Sequence, residues 1–158
     1  MGADAKKMRV YFDSLTTQPG HSHRGIGMYA RMLLKELKIL EQDGEVSLVD
    51  DPSAADIIHI PTFDLFAPTF PFKYLFTHKK IILTIHDVIP LLFPDKYLVG
   101  IRGKVAFFLQ KNALKFVSHI ITDSIASQND IHTYLGVPLN KITPIYLAAG
   151  ISEPKTSD

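Results

Sequence analysis

The stretch IILTIHD, residues 81–87, is a nearly continuous apolar run that ends in a histidine and an aspartate. Such runs are typical of strands that are covered on both faces, as in a parallel sheet between two layers of helices. DIIHI at 56–60 and HIITDS at 119–124 have the same character. The sequence therefore predicts an α/β fold with a buried, parallel sheet.

Further strands and helices alternate along the rest of the chain. Strands are also predicted over 8–14, 46–49 and 141–148. Pro144 lies in the last of these segments and has no N–H to donate, which indicates an edge strand or an exit from the sheet. Apolar residues at helical spacing predict helices over 26–40, 100–117 and 124–136. This alternation is typical of a Rossmann-like parallel sheet with helices on both faces.

The predicted helices have recognisable faces and ends. The helix over 124–136 has Ser124 as its expected cap and Gly136 at its expected end. The helix over 26–40 has an apolar face at Ile26, Tyr29, Leu33, Leu37 and Leu40. The face expected to be buried in the helix over 100–117 comprises Ile101, Val105, Phe108, Leu109 and Phe116.

Composition excludes several classes of protein. The chain has 158 residues, about the size of one domain, with 46% hydrophobic and 21% charged residues. The net charge of +1 gives no general reason to expect nucleic acid as a partner. Cysteine is absent, which excludes disulfides and thiolate metal sites and fits a reducing compartment. No signal peptide or membrane-spanning run is recognisable, so we predict a cytoplasmic protein.

The segments that follow the strands are the candidates for the site, because ligands bind beyond the carboxyl ends of parallel strands. These segments are the loop 15–27, Pro61–Phe63, His86–Asp87 and Asp123–Ser124. They come from separate parts of the chain, and this topology is expected to bring several of them to one edge of the sheet.

The glycine loop before the first predicted helix allows three interpretations. Gly25-x-Gly27-x-x-Ala30 has the spacing of a dinucleotide fingerprint, with Asp50 or Asp51 as its acidic residue. About ten polar residues separate it from the strand, which argues against that interpretation. The glycines could instead simply shape the entry into the helix. In the third interpretation, the helix N-terminus faces an anionic ligand, and Arg24 adds positive charge.

Four segments, in order, resemble the N-terminal half of a family-four retaining glycosyltransferase with the two-lobed GT-B architecture. The matching segments are RGIGMYARMLLKEL at 24–37, DIIHIPTF at 56–63, LTIHDVIPLLFPDKY at 83–97 and IITDSIASQNDIHTYLGVPLNKITPIYLAAGI at 120–151. The third resembles mannosyltransferase-like members in particular. The resemblance covers about residues 8 to 151.

The resemblance implies transfer of a sugar from a nucleotide-sugar donor to a sugar or lipid-linked acceptor, with retention and without a cofactor. In that family this lobe mainly binds the acceptor, and the glycine loop approaches the donor diphosphate. The donor lobe is expected to begin just after Gly150, whereas the sequence ends at Asp158. We therefore expect a second chain or a missing C-terminal lobe to supply donor binding, and little activity from this chain alone.

Site residues are assigned from the strand ends and the resemblance together. His86 and Asp87 are the catalytic candidates, with His86 near the donor sugar rather than acting as a general base. Arg24, Gly25, Gly27 and Ser124 are the candidates for binding the donor phosphate or the acceptor. Under the alternative interpretation, His86 only packs and Asp87 caps the next loop. His59 is expected to pack in the core. No metal site is expected, because His21 and His23 lack a carboxylate at ligand spacing.

An aromatic and basic stretch, FAPTFPFKYLFTHKK at 66–80, has two interpretations. Its alternating rings fit a half-buried strand or loop cover. They also fit a membrane or acceptor patch at Phe70, Phe72, Lys73, Tyr74 and Phe76. Positions 73–119 hold eight Lys or Arg against two Asp or Glu, which favours anionic headgroups. Peripheral contact with the inner face of the membrane is therefore a prediction.

The predicted domain organisation has three parts. A disordered tail is expected over 1–7, the Rossmann-like glycosyltransferase domain over 8–150, and a linker or tail over 151–158. The alternative function is a nucleotide- or dinucleotide-binding module, or a non-catalytic interaction domain of similar fold.

Overall fold

The computed structural model describes residues 7–14 and 25–148, and within them six strands form one parallel sheet. The strands are β1 Met8–Phe12, β2 Val46–Leu48, β3 Ile57–Ile60, β4 Lys80–Thr84, β5 His119–Thr122 and β6 Ile142–Pro144. All five pairings are parallel, so the predicted Rossmann-like α/β fold is confirmed. The predicted tails lie almost entirely outside the described residues.

The order of the strands is β2-β1-β3-β4-β5-β6. The chain moves one way across the sheet from β1 to β2, and the other way from β3 to β6. The order therefore reverses beside β1, where open α/β sheets leave a crevice at the carboxyl edge. β6 lies at the outside of the sheet, which confirms the edge position predicted from Pro144.

Four α-helices connect the strands in the described part of the chain. They are α1 Gly25–Gln42, α2 Ile89–Leu92, α3 Ile101–Ala113 and α4 Ile125–Asp130. The Ser124 side chain accepts a hydrogen bond from the Ser127 N–H at 3.0 Å, which confirms the predicted cap of α4. A π-helical turn over Ile131–Leu135 continues α4. It ends at Gly136 with a φ of 74°, a left-handed conformation that glycine adopts without strain.

The two faces of the sheet are covered by different helices. Right-handed crossovers place α1 on one face and α3 and α4 on the other, because the chain crosses the sheet in opposite directions. The larger core lies on the second face, where Ile58, Leu83 and Ile120 pack with Ala113 of α3 and with residues of the turns that follow α3 and α4, such as Leu114 and Ile131. Each fully buried side chain of this kind contributes about 1.5 to 3 kcal/mol.

The prediction for the buried face of α3 is wrong. Its expected core residues Ile101, Val105, Phe108 and Leu109 are all exposed, as is Phe116 in the 3-10 turn that follows. The inward face instead carries mainly small residues and one amide, namely Gly103, Ala106, Gln110 and Ala113. The half-buried Phe107 packs beside them against the core. The apolar spacing correctly predicted a helix, but the side of the helix that meets the sheet depends on the close approach that small residues allow.

The aromatic stretch is not a strand. It is an irregular loop with a 3-10 helix at Phe72–Phe76, so its rings belong to a loop cover rather than to a half-buried strand. Gln110 of α3, fully buried, organises the first part of this loop. Its Nε2 donates to the carbonyls of Asp64 at 2.9 Å and Ala67 at 2.8 Å. Its Oε1 accepts from the N–H groups of Thr69 at 3.1 Å and Phe70 at 3.0 Å.

Candidate functional site

The site begins where β4 and β5 end side by side. His86 follows β4 and Asp123 follows β5, and the pairing of the two strands brings their side chains together. His86 Nδ1 lies 2.8 Å from Asp123 Oδ2. An ionised carboxylate can only accept, so Nδ1 carries a proton and donates it to Asp123. This bond holds the ring in one orientation and leaves Nε2 as its other polar atom.

Helix α1 supplies the second wall of the site. The ring of Tyr29 meets the ring of His86 edge to face, with centroids 4.8 Å apart and planes at 90°. Tyr29 lies about one turn beyond Gly25, the first residue of α1. The N-terminal turn of α1 therefore lies next to the histidine at the carboxyl edge of the sheet.

A buried hydroxyl links the site to the sheet beneath it. The Thr84 hydroxyl lies 3.2 Å from the Tyr29 hydroxyl and 3.1 Å from His59 Nε2. Burial raises the pKa of Tyr29, although its hydrogen bond to Thr84 opposes that shift. Burial lowers the pKa of His59 to about 4, so this imidazole is neutral at pH 7. His59 therefore packs in the core, as predicted. The hydrogen-bonded pair of His86 and Asp123 lies beyond it, at the carboxyl edge of the sheet.

The free nitrogen of His86 is the most informative atom of the site. Nε2 is buried and has no hydrogen-bond partner among residues 7–14 and 25–148. Buried polar atoms are normally paired, because an unmade hydrogen bond costs about 1 to 3 kcal/mol. Nε2 can accept a hydrogen bond when the ring is neutral and donate one when the ring is protonated. The arrangement can therefore bind a hydroxyl or carbonyl group of a ligand at the sheet edge.

The family model described as Glycosyltransferase Family 4 matches residues 3–149. The chain belongs to glycosyltransferase family 4. No curated protein matches the chain. Together with the parallel sheet, the match assigns this domain to a glycosyltransferase lobe and its substrates to sugar compounds in general.

The other predicted site residues of this glycosyltransferase lobe differ in exposure and in the contacts that they make. Gly25 is exposed with open space beside it, whereas Gly27 is buried inside α1. Asp87 is exposed, and its Oδ1 accepts from the Ile89 N–H at 2.9 Å, so it caps the short helix α2. Ser124 caps α4, as described above. Arg24 lies outside the described residues.

The fold buries some residues of the predicted membrane patch and leaves others exposed. Phe70 and Tyr74 are buried, and Phe72 is half-buried. The Tyr74 ring meets Tyr11 of β1 edge to face with centroids 6.0 Å apart, which ties it to the core. Of the five patch residues, Lys73 and Phe76 are exposed. Within the described ranges, no helix has the length and apolar character needed to cross a bilayer.

The dinucleotide alternative depends on the acidic residues after β2. Asp51 accepts from the Ser53 N–H at 2.8 Å and caps a 3-10 turn, so it has a local structural role. Asp50 lines a groove of about 390 Å³ with Ser14 and Lys38. The fingerprint residues Gly25, Gly27 and Ala30 all lie in α1, whereas the loop 15–24 before them lies outside the described residues. No group of metal-binding residues occurs in the described part of the chain. His21 and His23 lie outside that part.

Sequence reasoning missed three members of the site. Tyr29 was assigned only to the apolar face of α1, and Thr84 was one residue in a buried strand. Asp123 was placed among the residues after a strand but was given no role. The signal that could have found Asp123 is its position in the sequence. His86 and Asp123 both stand just beyond the ends of consecutive predicted strands, and such ends meet at one edge of a parallel sheet. Asp13 holds the same kind of position after β1 and is also buried.

Proposed function

We propose that this domain is the N-terminal, acceptor-side lobe of a mannosyltransferase-like GT-B enzyme that transfers a sugar from a nucleotide-sugar donor with retention. A donor-binding lobe, on a second chain or C-terminal to this one, completes the enzyme. The acceptor is a sugar or a lipid-linked sugar. Family membership supports the reaction class, and the geometry around His86 supports the location of the site.

The unpaired Nε2 of His86 is the observation that carries this proposal. A histidine that only packs would be expected to satisfy both ring nitrogens, but this ring satisfies one through Asp123. The other nitrogen lies at the carboxyl edge, where ligands bind in this type of sheet. A hydrogen bond from Nε2 to a hydroxyl of the transferred sugar would occupy it.

The neighbouring groups have positioning roles in this proposal. Asp123 orients the His86 ring, and the Tyr29 ring prevents it from turning away. The first N–H groups of α1 have no partner within the helix and carry its partial positive charge. A donor diphosphate next to that turn would be stabilised by those groups, one helical turn from Tyr29. No protein base is assigned to the retaining transfer.

The test is acceptor-dependent release of nucleoside diphosphate when the chain is mixed with a polypeptide carrying the donor-binding lobe. A panel of UDP-, GDP- and ADP-linked sugars identifies the donor, and NMR of the product anomer checks retention. We expect His86→Ala to lower turnover by roughly 2 to 4 kcal/mol of transition-state stabilisation while Tm stays nearly unchanged. Asp123→Asn keeps an acceptor for Nδ1 but removes the charge, so a smaller loss is expected.

His119→Ala is the matched control. His119 also bonds a side chain, Thr143 Oγ1 at 2.8 Å, but it stands at the opposite end of β5 from Asp123. Its replacement is expected to leave transfer unchanged. Full activity with alanine at position 86 would contradict the assignment of the site, and transfer from none of the donors would contradict the proposed function.

A further inference from the structure

The outward face of α3 is an apolar surface that nothing in the described structure covers. It consists of Leu98, just before the helix, and Ile101, Val105, Phe108, Leu109 and Phe116. Leu98 is 94% exposed and Ile101 is 83% exposed, and the two phenylalanines are 65% and 64% exposed. Isolated exposed apolar residues are ordinary, but a contiguous group of this size indicates an interaction surface.

Helix geometry places these residues in one stripe. At 3.6 residues per turn, positions 101, 105 and 108 fall within about 60° of one another around the axis of α3, and Phe116 follows in the 3-10 turn after it. The buried Gln110 lies on the opposite side of the helix. The stripe therefore points straight away from the sheet, and α3 presents a polar and apolar division that is the reverse of an ordinary surface helix.

Cations flank this stripe on both sides. Arg102 and Leu109 share one border, whereas Lys104, Lys111 and Lys115 follow the other. Residues 96–122 contain five Lys or Arg and no Asp or Glu. The nearest acidic residues along the chain are Asp95, at the start of this segment, and Asp123, which is bonded to His86. The segment that carries the outward face therefore has a net positive charge.

A groove beside the C-terminal half of α3 continues the positive surface. Its volume is about 500 Å³, and Lys111, Lys115 and Lys141 line it together with apolar residues, without an acidic side chain among those described. Lys111 Nζ donates to the Tyr134 carbonyl at 2.8 Å, which holds that ammonium group at the groove. The groove is suited to a phosphate group that approaches next to the apolar stripe.

We propose that the outward face of α3 binds the surface of an anionic phospholipid bilayer. The apolar stripe lies in the headgroup and acyl-chain boundary, and the flanking cations contact lipid phosphates. A second copy of the chain is a poorer fit, because a self-paired face would bring its cations against identical cations. This inference is independent of the proposed sugar transfer, since it uses the opposite face of the sheet from α1.

Vesicle flotation of the purified chain tests the proposal. We expect binding to vesicles of equal parts phosphatidylglycerol and phosphatidylcholine, little binding to phosphatidylcholine alone, and release in about 0.5 M salt. Ile101→Ser with Phe108→Ser is expected to weaken the partition coefficient by at least roughly tenfold. Arg102→Gln with Lys104→Gln is expected to weaken it by about thirtyfold.

The matched control removes an exposed isoleucine and an exposed aromatic ring elsewhere, as Ile39→Ser with Tyr146→Ser. Ile39 is an exposed residue of α1, and Tyr146 is an exposed ring just after β6. Circular dichroism melting should show every variant folded, and the control should bind like the parent chain. Three results would each overturn the proposal. They are loss of binding in the control variant instead of the α3 variant, absence of binding of the parent chain to anionic vesicles, and a dimer that only the α3 variant dissociates.

Discussion

Two histidines at the ends of neighbouring strands have opposite chemical roles because of their surroundings. His59 is buried at the end of β3 and bonds only Thr84 among the described residues, whereas His86 stands at the edge beside a carboxylate. Burial penalises the charged form of His59, and nothing in its contacts compensates for that penalty. The difference in environment separates a buried imidazole from one whose Nε2 has no hydrogen-bond partner among the described residues.

The buried state of His59 predicts a pH-dependent stability. Its pKa is about 4 when folded and near 6.5 ordinarily, so both states are neutral above pH 6.5. As the pH falls from 6.5 towards 4, the unfolded chain binds a proton that the folded chain excludes, and stability decreases. The expected loss is about 3 kcal/mol over that window, measured by urea unfolding at a series of pH values.

The comparison for that prediction is His59→Gln, which keeps a polar group near Thr84 and does not titrate. Its unfolding free energy should decline less steeply between pH 6.5 and 4 than that of the parent chain. Identical slopes in the two proteins would show that His59 is already protonated or that its site is open to water in the folded state.

At the scale of elements, one amide makes the hydrogen bonds between α3 and the 64–70 loop, and the rings of Phe107 and Phe66 pack beside it with centroids 5.7 Å apart. Gln110 satisfies carbonyls and N–H groups that have no regular secondary structure to pair them. Its burial is tolerated because both ends of the amide are bonded.

Replacing Gln110 by leucine is therefore expected to be costly. Gln110→Leu has similar volume but removes the partners of the Asp64 carbonyl and the Phe70 N–H. The Thr69 N–H still donates to the Ala67 carbonyl at 2.7 Å. Roughly 2 to 4 kcal/mol of unfolding free energy should therefore be lost. Gln42→Leu, at the exposed end of α1, should change stability by less than about 0.5 kcal/mol. Denaturant unfolding of both variants gives the comparison, and equal stability would mean that water replaces the amide.

At the scale of the whole molecule, the sheet has a protected centre and weak edges. β3 and β4 lie inside the sheet and contain fully buried residues such as Ile58 and Leu83. β2 and β6 are the two edge strands, each of three residues, and β2 is only half-buried. Local opening should therefore begin at the edges.

Amide hydrogen exchange measured by NMR checks this distribution. After correction for intrinsic rates, the amides of β3 and β4 should exchange only through global unfolding. The amides of β2 and β6 should exchange at least roughly tenfold faster. Slowest exchange in β6 would contradict the sheet order or indicate an additional partner strand.

The sequence by itself determined the α/β class, the approximate span of every strand, the edge position of β6, the cap and end of the helix after β5, and the candidacy of His86. These features depend on local patterns: apolar runs, a proline, a serine, a glycine and the first residues beyond a strand. The tertiary structure decided which strands are neighbours, and hence that Asp123 bonds His86 and that Tyr29 stands beside them. It also decided which side of α3 is buried, because that choice depends on small residues meeting a distant loop and sheet. Contacts between residues far apart in sequence carry no periodic signal, so only the folded chain reveals them.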